Sequence, residues 1–464
     1  MSKKLLCLLL SFILAFALCS CGGETTGSES QSNESTVKEE DDEKNVDYST
    51  YDSYWMKQFD YKTMPIGAYN AAPNGGYTYT DNFASYDSLA TLADCGINTV
   101  YALYEKLASA KTDVLNILDA CEKLNLSYMA TVIDSYNQTN KLSLKSAVSK
   151  VIDSPALGGF MVCDEPGYTL FSRISKSVAT YSEVAPDLLY HTNLFPDYAS
   201  QKQLYFRTAK DGDVLPEGGY TYEQYVDDYL EICKPQVLSY DSYPFRGTFP
   251  KLMSGYFANL SVIRNKASGA GIPFWIFIQC YGNGGGTRTP VGSELLWQVN
   301  TGLSYGSKGI QYFCYYLPAE LGETFRGCLV DYSGQKTELW AWAQKANKQI
   351  AAVDEILMRS ISKGLIQVGT TPDTIPEGDL IESYQRLTGV SGEHALVGCF
   401  DYRGREAFYV TNNSLDSADT VTLNFEEEVD GYTVINAEKS DFASNSVQIE
   451  LQAGEGALVV LNQK

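Results

Sequence analysis

The chain has 464 residues, more than the roughly 250 that a single eight-fold βα barrel needs, so there is room for a barrel and a companion domain. Hydrophobic residues make up 44% and charged residues 20%, proportions that exclude a disordered or fibrous chain and allow a large core. With 35 Lys+Arg against 57 Asp+Glu, a net charge of −22, no basic surplus exists to neutralise phosphates. That argues against a nucleic-acid partner and against electrostatic attraction to anionic lipid.

The first predicted element is a processing signal. Lys3 and Lys4 form a charged start, and Leu5 to Ala17 is an apolar run too short to span a bilayer. Leu18-Cys19-Ser20-Cys21 follows and resembles the bacterial lipobox, with Leu three before the cysteine and a small residue just before it. The resemblance implies that residues 1–20 are a signal peptide and that Cys21 carries lipid. Cys19 is the poorer candidate because Leu18 directly precedes it; an ordinary cleaved signal is the alternative. Residues 21–55, with Gly22-Gly23 and an acidic run from Glu39 to Glu43, have too little apolar surface to offset ordering entropy and are expected to form a disordered tether. The expected location is therefore the outer face of a bacterial cell membrane, contacted through the anchor alone.

Residues 56–362 are expected to form an α/β domain. Eight short apolar segments read as strands: Met64 to Tyr69, Thr99 to Leu103, Tyr128 to Ile133, Gly159 to Cys163, Leu188 to Thr192, Val237 to Tyr240, Phe274 to Ile278 and Gly309 to Cys314. Helical stretches such as Thr112 to Leu124 and Ser293 to Leu303 lie between them. Eight such units close a (β/α)8 barrel. A doubly wound sheet, the rival, needs a Gly-rich phosphate loop opening its first helix. Gly282 to Gly286 is Gly-rich but follows the seventh strand and has no accompanying lysine motif. Thr337 to Met358 reads as a closing helix, after which residues 363–464 change pattern. His394 to Phe400, Ala407 to Thr411, Thr420 to Phe425, Tyr432 to Ala437, Val447 to Leu451 and Ala457 to Leu461 predict a small antiparallel β-sandwich.

Three of eleven cysteines belong to the export segment, and Cys163, Cys280 and Cys314 sit in apolar strands as small hydrophobes. There is no CxxC pair and only two histidines, His191 and His394, so neither a metal nor another cofactor is expected. The scatter of cysteines does not look like a disulfide framework.

In a barrel the C-terminal strand ends build the site. Here those ends carry Asn70, Glu105, Asp134, Asp164 with Glu165, Asn193, Asp241 with Tyr243, Gln279 with Tyr281, and Tyr315 with Tyr316. Together they predict an acidic cleft lined with tyrosine, whose flat face and hydroxyl suit sugar rings. A structural role for any single strand-end carboxylate remains open.

The run Gly158-Gly159-Phe160-Met161-Val162-Cys163-Asp164-Glu165-Pro166 resembles TIM-barrel glycoside hydrolases of the large clan whose acid/base Glu ends the fourth strand. Glu165 matches that Glu, and Asp164 stands where the clan has Asn. Arg288-Thr289-Pro290, Glu294, Trp297-Gln298, the stretch from Gly306 to Phe313, the stretch from Asp331 to Glu338, and Gly454-Glu455-Gly456 are similar to uncharacterised bacterial relatives of the family 42 beta-galactosidase type. The resemblance implies a glycoside hydrolase with Glu165 as general acid. It also implies a nucleophilic Glu ending the seventh strand, but the chain has Gln279 there, and an amide is neither nucleophile nor base. Asp241 is the first choice for the second carboxylate, Asp134 the next and Glu105 the third. Asp164, Asp134, Glu105, Asn193, His191, Tyr243, Gln279, Tyr281 and Tyr315 are expected to bind substrate, while Trp275 reads as core. The expected activity is cleavage of oligo- or polysaccharide. Gln279 keeps open an inactive, carbohydrate-binding lipoprotein. A transport solute-binding protein shares the anchor but needs two lobes and a hinge, which eight βα units disfavour.

Overall fold

A computed structural model describes residues 62–73, 83–101, 111–131, 151–318 and 324–463. The expected signal peptide, Cys21, the acidic tether, Glu105 and Asp134 lie outside them. In chain order the barrel region runs β1 (Ile66–Ala68), α1 (Tyr86–Asp94), β2 (Thr99–Tyr101), α2 (Lys111–Leu124), β3 (Ser127–Thr131), β4 (Leu157–Asp164), α3 (Phe171–Ser182), β5 (Leu189–Leu194), α4 (Gln201–Phe206), α5 (Tyr222–Cys233), β6 (Leu238–Tyr240), α6 (Tyr256–Ala270), β7 (Phe274–Gln279), β8 (Tyr281–Asn283), α7 (Gly292–Tyr305), β9 (Ile310–Phe313), β10 (Phe325–Gly327) and α8 (Glu338–Met358). Strands β1 to β7 and β9 pair in that order, and β9 returns to β1 with Ile66 opposite Ile310, closing a parallel barrel. All eight expected strands are present. Their apolar runs are continuous because a parallel barrel strand is buried on both faces. β8 and β10 form an antiparallel ribbon on the rim.

Local chemistry fixes these elements. Ser200 caps α4 and Thr221 caps α5, and in each a glutamine three residues on (Gln203, Gln224) reaches back to the cap backbone. In β4, Gly159 lies so close to β5 that a Cβ there would sit 2.2 Å from the Leu189 carbonyl oxygen. α7 is buried from Glu294 to Tyr305, because one side covers the barrel and the other meets the C-terminal domain. Its buried carboxylate, Glu294, is held by Arg288 in a bidentate pair.

That domain consists of β11 (Ser360–Gly369), β12 (Leu387–Ser391), β13 (His394–Tyr402), β14 (Arg405–Asn412), β15 (Asp419–Ile435), β16 (Glu438–Leu451) and β17 (Gly456–Leu461). All are antiparallel in one sheet, ordered β11-β13-β14-β17-β15-β12, with β16 on β15. The expected two-layered β-domain is thus built from one continuous sheet. The two strands expected over 420–437 are a single strand, β15, whose register slips between Asn424 and Val429. Before the slip it pairs with β12, after it with β17. The bend brings Phe425 to 6.1 Å from Phe408 of β14, enclosing a core that includes Val397, Leu423, Ile449 and Val459. The domain grips α7 through polar contacts: Trp297 Nε1 donates to Asn413 Oδ1 at 2.7 Å, Asn300 Nδ2 to the Gly454 carbonyl at 2.7 Å, and Tyr409 Oη to Asn300 Oδ1 at 2.7 Å. Gly454 has φ +72° and sits where a Cβ would lie 2.2 Å from the Ser293 carbonyl oxygen, which accounts for the Gly-Glu-Gly motif.

Candidate active site

The C-terminal strand ends open on a cavity of about 320 Å³ whose lining includes Asp164, Glu165, Asn193, Asp241, Tyr243 and Tyr281. The register that closes the barrel brings the polar residues together. Asp164 of β4 lies opposite Asn193 of β5, which lies opposite Ser239 of β6. The Asn193 amide nitrogen donates to Asp241 Oδ1 at 2.9 Å and to Asp164 Oδ1 at 3.3 Å. Its oxygen accepts from Ser239 Oγ at 3.2 Å, which in turn accepts from Gln311 Nε2 of β9 at 3.0 Å. One buried relay therefore spans four strands and holds two carboxyl groups on a single amide.

Electrostatics follow from that placement. Asp241 is 3% exposed, and burial, then the neighbouring Asp164, pushes its carboxyl up to about 8 against the opposing Asn193 bond. Asp164 is also raised, chiefly by burial, with the Asn193 bond and the Arg207 guanidinium opposing. Two carboxyls so close titrate as a unit, and the pair keeps a proton past the range of an ordinary aspartate.

Glu165 follows directly. Its φ is +45°, a left-handed conformation that costs a non-glycine residue on the order of 1–3 kcal/mol and concentrates at functional positions. Its N–H donates to the Asn193 carbonyl at 2.8 Å. Pro166 then ends the strand, and its carbonyl accepts from Tyr225 Oη at 2.7 Å. The chain turns sharply out of β4 with the Glu165 side chain lining the cavity.

The rest of the cavity is aromatic. Tyr243 and Tyr281 meet edge to face at 5.0 Å, and Phe313 lies 5.7 Å and 5.1 Å from them. Phe325 of the β10 ribbon lies 5.6 Å from Tyr281. Tyr198 supports Arg246, whose guanidinium carbon is 5.0 Å from the ring centre. The arrangement offers apolar faces beside acids, as a sugar ring requires.

Three expected substrate-binding residues lie elsewhere. His191 shares the inward face of β5 with Asn193 but sits one layer deeper. It is fully buried, touches Met161 Sδ at 3.1 Å and packs against Tyr101 and Trp275. Burial lowers it to about 3, so it is a neutral core residue. Tyr315 is buried below the rim, accepting from Trp340 Nε1 at 3.3 Å. Gln279 is fully buried and acts as a backbone clamp. Its amide nitrogen donates to the carbonyls of Arg288 at 2.8 Å, Tyr281 at 3.0 Å and Phe245 at 3.5 Å, and its oxygen accepts from the Phe245 N–H at 3.0 Å. A carboxylate could make none of those donations, which is why this strand end carries an amide. Glu105 and Asp134 lie outside the described residues. Tyr69, Tyr198, Gln203, Arg246, Asn283, Thr287 and Phe325 line the cavity without having been singled out in the sequence. Only Tyr69, beside the strand-end Asn70, carried a signal there. Among the described residues, no group of three or more His, Cys, Asp or Glu could hold a metal ion.

No protein-family profile matches the chain. No curated protein matches it by sequence. Among solved structures it is similar to a beta-galactosidase from Bacillus circulans sp. alkalophilus, with a TM-score of 0.57 at 9% identity over 88% of this chain and 100% of that one. It is also similar to a protein described as a glycoside hydrolase, with a TM-score of 0.51 at 10% identity over 86% of this chain and 93% of that one. At such identity the likeness is one of fold: the chain has a TIM barrel of the kind glycoside hydrolases use, followed by an antiparallel β-domain.

Proposed function

We propose that the protein is a glycoside hydrolase that cleaves oligo- or polysaccharide, held by a lipid on Cys21 at the outer face of a bacterial cell membrane. The membrane is contacted only through that anchor, and neither nucleic acid nor a cofactor takes part. The observation that carries the enzymatic reading is the gathering of Asp164, Glu165 and Asp241 in one tyrosine-walled cavity at the C-terminal mouth of the barrel. The likeness of the Asp164-Glu165-Pro166 and Gly454-Glu455-Gly456 segments to the family 42 beta-galactosidase type supports it. Glycosidic cleavage takes an acid to protonate the leaving oxygen and a carboxylate at the anomeric carbon, where positive charge develops. Glu165 is assigned the first role. The second falls to Asp241 beside Asp164, the two carboxyls that the Asn193 amide holds together at the barrel mouth. Attack by that carboxylate gives retention, whereas activation of a water gives inversion.

The test is a broad panel of natural oligosaccharides and aryl glycosides, read by NMR for reducing-end release and for the anomer formed first. Turnover of at least one panel member, lost in the double variant Asp164→Asn/Asp241→Asn, supports the proposal. Binding of sugars with no product after long incubation supports the second reading, a carbohydrate-binding barrel. The Gln279 clamp favours that second reading, since it removes the clan's usual nucleophile position.

A further inference from the structure

The cavity that gathers the carboxyl groups also carries a cation. Among the described residues lining it, Arg246 is the one Lys, Arg or His. Arg246 stands in the loop between β6 and α6 and pairs, antiparallel, with Thr287 of the loop between β8 and α7. The Thr287 carbonyl accepts from the Asn283 N–H at 2.8 Å. Main-chain pairing thus sets Arg246, Thr287 and Asn283 side by side, and all three line the cavity. The carboxyl groups enter from other points of the mouth: Asp164 and Glu165 at the end of β4, Asp241 at the end of β6.

The Arg246 guanidinium is accessible and uncommitted. The residue is exposed, and its guanidinium carbon lies 5.0 Å from the centre of the Tyr198 ring. Tyr198 is itself fixed, because its hydroxyl accepts from the Tyr243 N–H at 3.3 Å. The fork therefore rests against an aromatic wall of the cavity instead of extending freely into water. Among the described residues no carboxylate forms an ion pair with Arg246, and its side chain donates no hydrogen bond. The cation that acts on Asp164 is Arg207, and Asp241 answers to burial, Asp164 and Asn193, so holding those carboxyls is not the task of Arg246. Beside it, Asn283 spends its amide oxygen on the Gly285 N–H at 3.0 Å, which leaves the amide nitrogen as a further donor. A neutral sugar needs no cation, since amides, hydroxyls and carboxylates satisfy its hydroxyl groups. A planar guanidinium fork matches a carboxylate, two N–H groups to two oxygens.

We infer that Arg246 recognises the carboxylate of a uronic acid unit, with the Thr287 hydroxyl and the Asn283 amide beside it, so that the glycan this cavity takes is an acidic, uronate-bearing one. The cut itself rests on the glycoside-hydrolase reading above; the recognition does not. The charges of Arg246, Asp241 and Glu165 all act on the Tyr198 hydroxyl, so a ligand seated against that ring meets the cation and the acids together.

Isothermal titration of the whole protein at constant ionic strength tests this, comparing oligomers of galacturonate and of glucuronate with the same oligomers after reduction of their carboxyls to primary alcohols. At least one uronate series should bind about tenfold more tightly than its reduced counterpart, the worth of a charge-assisted bidentate contact, and Arg246→Gln should shrink that ratio to about threefold or less. The inference is overturned by equal affinity for uronate and reduced oligomers, by no saturable binding of either uronate series, or by a ratio that survives Arg246→Gln unchanged. Oligomers of galactose 6-sulfate form a further arm: tighter binding of these than of the uronates assigns Arg246 to a sulfate ester and overturns the uronate. Turnover is read separately. Product from neutral glycosides with no preference for acid overturns this inference and leaves the glycoside-hydrolase reading intact. Acid preference lost in Arg246→Gln, with no product from any glycan, supports this inference and sinks that reading.

Discussion

Asn193 gives two aspartates one amide to share, and the consequence reaches stability as well as chemistry. An aspartate titrates near 3.9 in an unfolded chain, whereas burial and Asp164 push Asp241 up to about 8. Between those values the folded state binds the proton that the unfolded state has released. By linkage, folding stability therefore falls as pH rises through that window. Asp241→Asn removes the titrating group while keeping an acceptor for Asn193, so it should flatten that slope and stabilise the protein at pH 8. Urea unfolding of both proteins at pH 5 and pH 8 checks this; a variant no more stable than wild type at pH 8 contradicts it. Gln279 supplies the converse case. Gln279→Glu restores a carboxylate at the seventh strand end but aims it at three carbonyls, and should cost on the order of 3 kcal/mol without adding activity. Glutamine and glutamate look like alternatives at this position in the sequence; the hydrogen-bond pattern separates them. The same limit applies to His191. A strand-end rule locates the mouth of a barrel within about two residues, and two residues are one layer.

At the scale of elements, β4 and β5 set the site because their register aligns Asp164 with Asn193. Gly159 permits that approach. Gly159→Ala should push the strands apart, cost about 1–3 kcal/mol and reduce activity beyond what the stability loss explains. Paired urea titrations and turnover at a temperature where both proteins are folded would show it; full activity would count against the register argument. The barrel strands were legible because burial on both faces leaves continuous apolar runs. β15 was not, because the exposed Glu426 to Glu428 and the Asp430-Gly431 pair read as a turn, whereas the chain absorbs the glutamates in a register slip and keeps its ladder through Asp430 and the buried Gly431. β11 and β12 were not among the expected strands, and β11 follows α8 almost without a loop to announce it. The rim residues Tyr198, Arg246 and Phe325 come from loops and a short ribbon, whose inward fold no periodicity announces.

At the scale of the whole molecule, the barrel presents carboxylates at one end and meets the β-domain along α7 and at its base. The β-domain thus braces the scaffold behind the site. Anchoring is a separate property: Cys21→Ala should move the protein from the membrane fraction to the soluble fraction, and an unlipidated N-terminus in the native host, found by mass spectrometry, would contradict the lipid. Under the proposed function, Glu165 donates a proton to a glycosidic oxygen. The most direct measurement of that step compares Glu165→Gln with wild type on a natural oligosaccharide and on an aryl glycoside of the same sugar. General acid catalysis contributes about 10²–10⁴-fold. Turnover of the natural substrate should therefore fall by that factor with binding retained, and the aryl glycoside, whose leaving group needs little protonation, should lose far less. Equal losses on both substrates, or none on either, would contradict the assignment of Glu165 as the acid.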